Sequence, residues 1–192
     1  IEQALVAGEI DFAVHSAKDV PYEIHAETEL TSTLERESAY DVLILKNPQH
    51  KTIDDLPKAA KIGTSSIRRA SQLKAYRADL EILPLRGNVP TRLRKLEENS
   101  ELHAIVLAEA GINRLAYNDL NKYVLKEIVP AVNQGILSVQ YRKGNLELES
   151  YFSKLRCPNT ESAFIAERIC IEELEADCNS AVGVLASGNK LH

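Results

Sequence analysis

Several short stretches of this 192-residue chain gather residue types that handle anions and protons. In GTSSIRR (63–69), Gly63 allows a tight turn after an apolar strand. Thr64, Ser65 and Ser66 then offer hydroxyls and free backbone N–H groups where a helix would begin, a ready anion site. Arg68 and Arg69 add two planar forks suited to carboxylates. The same residues also fit a capped surface helix with solvated arginines. LRGNVPTRLRK (85–95) repeats the theme. Arg86 follows a strand, Gly87-Asn88 turn the chain, and Pro90 or Thr91 opens a helix with Arg92 in its first turn. A cation there opposes the helix dipole, so Arg92 is mildly unfavourable unless it holds an anion; the other reading lays it along the surface.

HSAKDVP (15–21) places His15, Ser16, Lys18 and Asp19 at the end of an apolar strand stopped by Pro21. A carboxylate beside a cation can move protons or stabilise a developing positive charge. It can equally be a salt-bridged turn. Cys178, in EADCNSAVG (175–183), is open to three roles: nucleophile, covalent attachment point, or small buried hydrophobe. Cys170 reads as core, and Cys157 before Pro158 carries no signal. The five histidines lack metal-ligand spacing.

These stretches must be positioned by alternating elements. Segments 10–15, 41–46, 60–63, 80–85 and 103–108 read as buried strands, and 65–77, 90–99, 109–117 and 159–176 as helices. That alternation predicts an α/β fold with βαβ units and mostly parallel sheets. In the last helix Asn159 or Thr160 is the expected cap, with Ala163, Ala166, Cys170 and Leu174 on one face. Crossings between two lobes are expected at LERESAY (34–40) and near Pro130, with a third piece from about Pro158. Ligands of open α/β sheets sit at the C-terminal ends of strands, often between lobes, where both His15–Asp19 and Thr64–Arg69 fall. Ile1, Leu5 and Val6 recur at helical spacing before Gly8, and the chain has no methionine. A preceding N-terminal part is therefore expected.

Composition is that of a globular protein, 44% apolar and 27% charged. No apolar run reaches the roughly 18–20 residues that span a bilayer. Three cysteines form no paired framework, so free thiols in a reducing, cytoplasmic compartment are expected. With 23 Lys/Arg against 28 Asp/Glu the net charge is −5, against nucleic-acid binding. Residues 61–96, however, hold nine Lys or Arg against Asp79 and Glu81 alone, a local +7. Such a field inside an acidic chain suits a small anionic ligand.

In order along the chain, GEIDFAVHSAKDVP (8–21), KIGTSSIRRASQL (61–73), LPLRGNVPTRLRKL (83–96), IVLAEAGINRL (105–115), VPAVNQG (129–135) and AERICIEELEADC (166–178) resemble the porphobilinogen deaminase (hydroxymethylbilane synthase) family. The resemblance implies two periplasmic-binding-protein-like lobes with mixed, mostly parallel sheets. Residues 1–36 and 131–155 would belong to domain 1, 37–130 to domain 2, and 156–192 to a partial, cofactor-bearing α+β domain 3. It further implies a monomeric transferase that condenses four porphobilinogen molecules with loss of ammonia. By the same match, Asp19 would be the catalytic carboxylate, and a dipyrromethane cofactor would be attached to Cys178. Ser16, Lys18, Thr64, Ser65, Ser66, Arg68, Arg69, Arg86, Arg92, Arg114, Gln134 and Gly135 would bind cofactor or substrate. Departures include Asn133 and Ser138 in place of glycines, and Ala176-Asp177 in place of Gly-Gly before the cysteine. A binding protein or divergent homologue without turnover is the alternative implied by the shared fold.

Overall fold

A computed structural model describes residues 1–175, 180–188 and 190–192. The chain opens with α1 (Glu2–Ala7), which buries Leu5 and ends at Gly8 in the left-handed region, φ 76°. Then come β1 (Phe12–Ser16), a 3-10 turn (Ala17–Asp19), β2 (Thr28–Thr33) and β3 (Asp41–Leu45). The middle of the chain holds β4 (Lys61–Gly63), α2 (Ile67–Tyr76), β5 (Glu81–Leu83), α3 (Val89–Glu98), β6 (Ala104–Ala108), α4 (Glu109–Arg114) and β7 (Lys122–Leu125). It closes with β8 (Leu137–Arg142), α5 (Leu146–Ser153), α6 (Pro158–Glu173) and the short pair β9 (Ala186–Ser187) and β10 (Lys190–Leu191). The described residues form two compact units. One takes in 1–39, 131–175 and the tail from 184; the other takes in 40–130 and 180–183.

The second unit is built on a five-stranded sheet in the order β5-β4-β6-β3-β7. β4 runs parallel to β5 and β6, whereas β3 is antiparallel to β6 and β7. Both faces are covered, so β3 and β6 are continuous apolar runs rather than alternating ones. Leu43, Ala104 and Val106 pack with Leu73 of α2 on one side. Val42, Ile105 and Leu107 pack with Leu93 of α3 and Ile112 of α4 on the other.

The first unit has a three-stranded antiparallel sheet in the order β1-β8-β2, with Ser16 opposite Leu137 and Thr33 opposite the same residue. Phe164 of α6 packs against Ala17 and Ile136, with Leu30 beside them. Among the described strands parallel pairing is confined to the neighbours of β4, with one isolated parallel bridge between Leu34 and Arg156. β8 reaches its partners only after the chain has traversed the other unit, so no local βαβ connection dictates its direction.

Two local expectations change. Segment 10–15 was expected as a buried strand, but β1 is an edge strand with Val14 61% exposed. In α6 the buried stripe is Thr160, Phe164, Glu167 and Ile171, and Cys170 is only half-buried. A carboxylate occupies the core side there, so apolar spacing misplaces the face by one step. Cys157 stands at the N-cap, while the Thr160 hydroxyl accepts the Arg36 backbone N–H at 2.8 Å.

Candidate functional site

In the second unit, the C-terminal ends of parallel strands β4, β5 and β6 lead into the N-termini of α2, α3 and α4. Thr64, Ser65, Ser66, Arg68, Arg69, Arg86 and Arg92 lie along that edge, whereas Arg114 stands at the far end of α4. Gly63 lets β4 end tightly, because a Cβ there would stand 3.0 Å from both Ile105 and Leu85 side chains. The Thr64 N–H donates to the Leu83 carbonyl at 2.9 Å, and the Ser65 hydroxyl accepts the Leu85 N–H at 3.0 Å. Ser66 caps α2 by accepting the Arg69 N–H. Asn88 caps α3 by accepting the Thr91 N–H at 2.9 Å, with Pro90 in the first turn.

Arg68 and Arg69 are only 5% and 6% exposed, and both converge on Asp41 at the start of β3. Arg68 donates to Asp41 Oδ2 at 2.7 Å and to the Val129 carbonyl at 2.6 Å. Arg69 reaches Asp41 Oδ1 through Nε at 3.0 Å and Nη2 at 2.7 Å, and the Val106 carbonyl through Nη1 at 3.1 Å. Burial pushes the Arg68 guanidinium below its usual range, Asp41 opposes this, and Arg69 adds to it. Two arginines against one carboxylate leave a buried positive charge, and each fork keeps N–H donors beyond those just named.

Arg92 lies in the first turn of α3 and is half-buried. Its Nε donates to the Gly87 carbonyl at 2.7 Å, and among the described residues no carboxylate pairs with it. Burial, and then the charge of Arg69, lower its pKa. Arg86 is exposed and Arg114, in the last turn of α4, is exposed too.

The first unit holds the other predicted residues. Ser16 ends β1 exposed, and the turn that follows is anchored by the Ala17 N–H on the Ile136 carbonyl at 3.0 Å. This sets Lys18 and Asp19 just beyond the sheet. Lys18 Nζ donates to Gln134 Oε1 at 3.4 Å, and Gln134 Nε2 donates to the Ala39 carbonyl at 2.8 Å. Asp19 is exposed and takes no hydrogen bond or ion pair from any described side chain. Gly135 has φ 87°, and a Cβ there would collide with the carbonyl oxygens of Glu37 and Ser38. Only glycine fits that close approach.

Two carboxylates escaped the sequence reading. Asp41 opens DVLIL (41–45), and a lone acid before a fully apolar strand was the available signal. Glu167, wholly buried on α6, pairs with Arg36 at 2.6 Å, and nothing local in LERESAY (34–40), which contains Arg36, marks that pairing. Cys178 lies outside the described residues. The Cys157 thiol is held below its usual range by the Thr160 N–H and hydroxyl. Among the described residues no group of three or more His, Cys, Asp or Glu could hold a metal ion. No helix among them is long and apolar enough to cross a membrane.

A family profile described as porphobilinogen deaminase, dipyromethane cofactor binding domain, matches residues 1–150. A porphobilinogen deaminase of Natranaerobius thermophilus is 44% identical, over 100% of this chain and 62% of that one. That of Clostridium botulinum is 45% identical, over 95% of this chain and 62% of its own. The chain thus spans about three fifths of the length of these relatives. Among solved structures, an arginine-specific periplasmic binding protein of Salmonella typhimurium aligns with a TM-score of 0.45 at 15% identity, covering 90% of this chain and 70% of that one. A cysteine-binding protein of Campylobacter jejuni aligns with a TM-score of 0.42 at 13% identity, covering 80% and 60%.

Proposed function

The chain belongs to the porphobilinogen deaminase family, and from that premise we propose that the whole protein is a transferase of tetrapyrrole biosynthesis, joining four porphobilinogen molecules head to tail with release of ammonia. The observation that carries this reading is Arg92. It is a half-buried cation at a helix start, beside Arg69 and without a described carboxylate. Such a group is unfavourable until an anion arrives. Each pyrrole of substrate and product carries an acetate and a propionate, so every addition brings two more negative charges.

The donor set suits a dipyrromethane cofactor, whose carboxylates would be held by Arg68, Arg69, Arg92, Arg86 and Arg114 with the Thr64, Ser65 and Ser66 hydroxyls. When bound, that group supplies the free pyrrole carbon from which the chain grows. Its attachment through Cys178 rests on the motif. Lys18, with Ser16, Gln134 and Gly135, would hold side chains of the incoming porphobilinogen. As the aminomethyl C–N bond breaks, ammonia leaves with the bonding pair and positive charge spreads to the pyrrole nitrogen. Asp19, uncommitted to any described side chain, accepts a hydrogen bond from that N–H and stabilises the cation. After the new C–C bond forms, the displaced ring proton must leave, and Asp19 would help carry it. Free thiols at Cys157 and Cys170 suit a reducing, cytoplasmic compartment.

Arg92→Gln tests the anion role in the full-length protein. It should leave thermal stability unchanged or slightly raised, since a like-charge contact is relieved, yet raise KM for porphobilinogen by about ten-fold, the size of one lost charged hydrogen bond. Unchanged KM would return Arg92 to the surface reading. The purified wild type should also give colour with an acidic aldehyde reagent, as a bound dipyrromethane does; an anion receptor would give none.

A further inference from the structure

We infer that Glu167 is a positioning residue for the proposed reaction, clamping the loop that presents Gln134 and, through it, Lys18; the inference rests on the reading just given. Glu167 is 0% exposed and accepts from three separate segments. Arg36 Nη1 and Nη2 reach its two oxygens at 2.6 and 3.3 Å. The Asn133 backbone N–H donates to Oε2 at 2.6 Å, and the Ala186 N–H donates to Oε1 at 2.8 Å. Arg36 in turn donates Nε to the Gln134 carbonyl at 2.9 Å. The Asn133–Gln134 backbone is therefore gripped on both sides, its N–H by the acid and its C=O by the base.

That grip matters because of what the loop must do. Asn133 sits in the left-handed region, φ 56°, which asparagine tolerates better than most residues but which remains uncommon. Gly135 follows at φ 87°, pressed against the backbone of Glu37 and Ser38. The Gln134 side chain leaves this bend to meet Lys18 Nζ and the Ala39 carbonyl. A shift of the loop would move Gln134 and break its hydrogen bond with Lys18. A buried acid with four charged or backbone donors is also well satisfied, so it holds the loop without an orphaned charge.

The test separates placement from stability. In the full-length protein, Glu167→Gln keeps the shape but puts an amide N–H against backbone N–H or guanidinium donors. It should raise KM for porphobilinogen by about ten-fold at a temperature where the variant is folded. Ile171→Ala, a buried truncation on the same helix, should lower the melting temperature yet leave KM within about two-fold. Glu167→Asp, which shortens the reach and keeps the charge, should shift KM in the same direction and serves if the glutamine variant does not fold. Wild-type turnover with an unshifted KM in the folded Glu167 variant would overturn the positioning role. Absence of turnover in the wild type would instead overturn the reaction assigned to the protein.

Discussion

Replacing Asp19 by asparagine in the full-length protein is expected to lower turnover of porphobilinogen by at least about a hundred-fold, the scale of losing a positioned acid–base or charge-stabilising group. The fold should not notice. Asp19 is exposed at the end of a 3-10 turn and pairs with no described side chain, so its charge supports no packing. Asparagine keeps the volume and can still accept a hydrogen bond. It lacks the full negative charge that stabilises a cationic pyrrole and the basicity that takes up a proton. Thermal unfolding should match the wild type. Near-normal product formation would remove Asp19 from the mechanism, whereas a large fall in melting temperature would show a structural role instead.

The second large effect is of the opposite kind. Asp41→Asn should destabilise the second unit by about 3–5 kcal/mol, because it strips the counter-charge from two buried guanidinium groups. That is a large share of a typical domain's 5–15 kcal/mol. Asp41 holds Arg68 and Arg69 at 2.7 Å each, and no other described carboxylate reaches either. Chemical unfolding of the second unit reads this directly. A variant as stable as the wild type would mean that the two arginines find other anions or turn outward. On the proposed reading the pair of substitutions divides the molecule's carboxylates by duty: Asp19 would stay exposed for chemistry, and Asp41 holds two cations in place.

What could be read in the sequence follows from how local each feature is. The turns at Gly63 and Gly87-Asn88 and the helix starts after them are set within a few residues, and the structure forms both, with Ser66 and Asn88 as the caps. The N-terminal helix ending at Gly8 is equally local. Asp41 was missed because its partners lie 27 and 28 residues further on, and no local pattern marks a lone acid as their counter-ion. The face of α6 was misjudged because Glu167 is buried, and apolar spacing cannot foresee a charge that Arg36 carries inward from 131 residues away. The apolar letters of β1 suggest burial, yet its place at a sheet edge depends on β8, more than a hundred residues later. Residue types therefore revealed the cationic edge, while Asp41, the acid that pairs with its two buried arginines, emerged only from tertiary pairing.

The most direct measurement is the intact mass of the full-length protein before and after exposure to porphobilinogen. The expected result is a mass above that of the polypeptide by a covalent two-pyrrole adduct, followed by further increments of one pyrrole at a time as substrate is added. A polypeptide of unmodified mass that stays unmodified in the presence of porphobilinogen would contradict the proposed function.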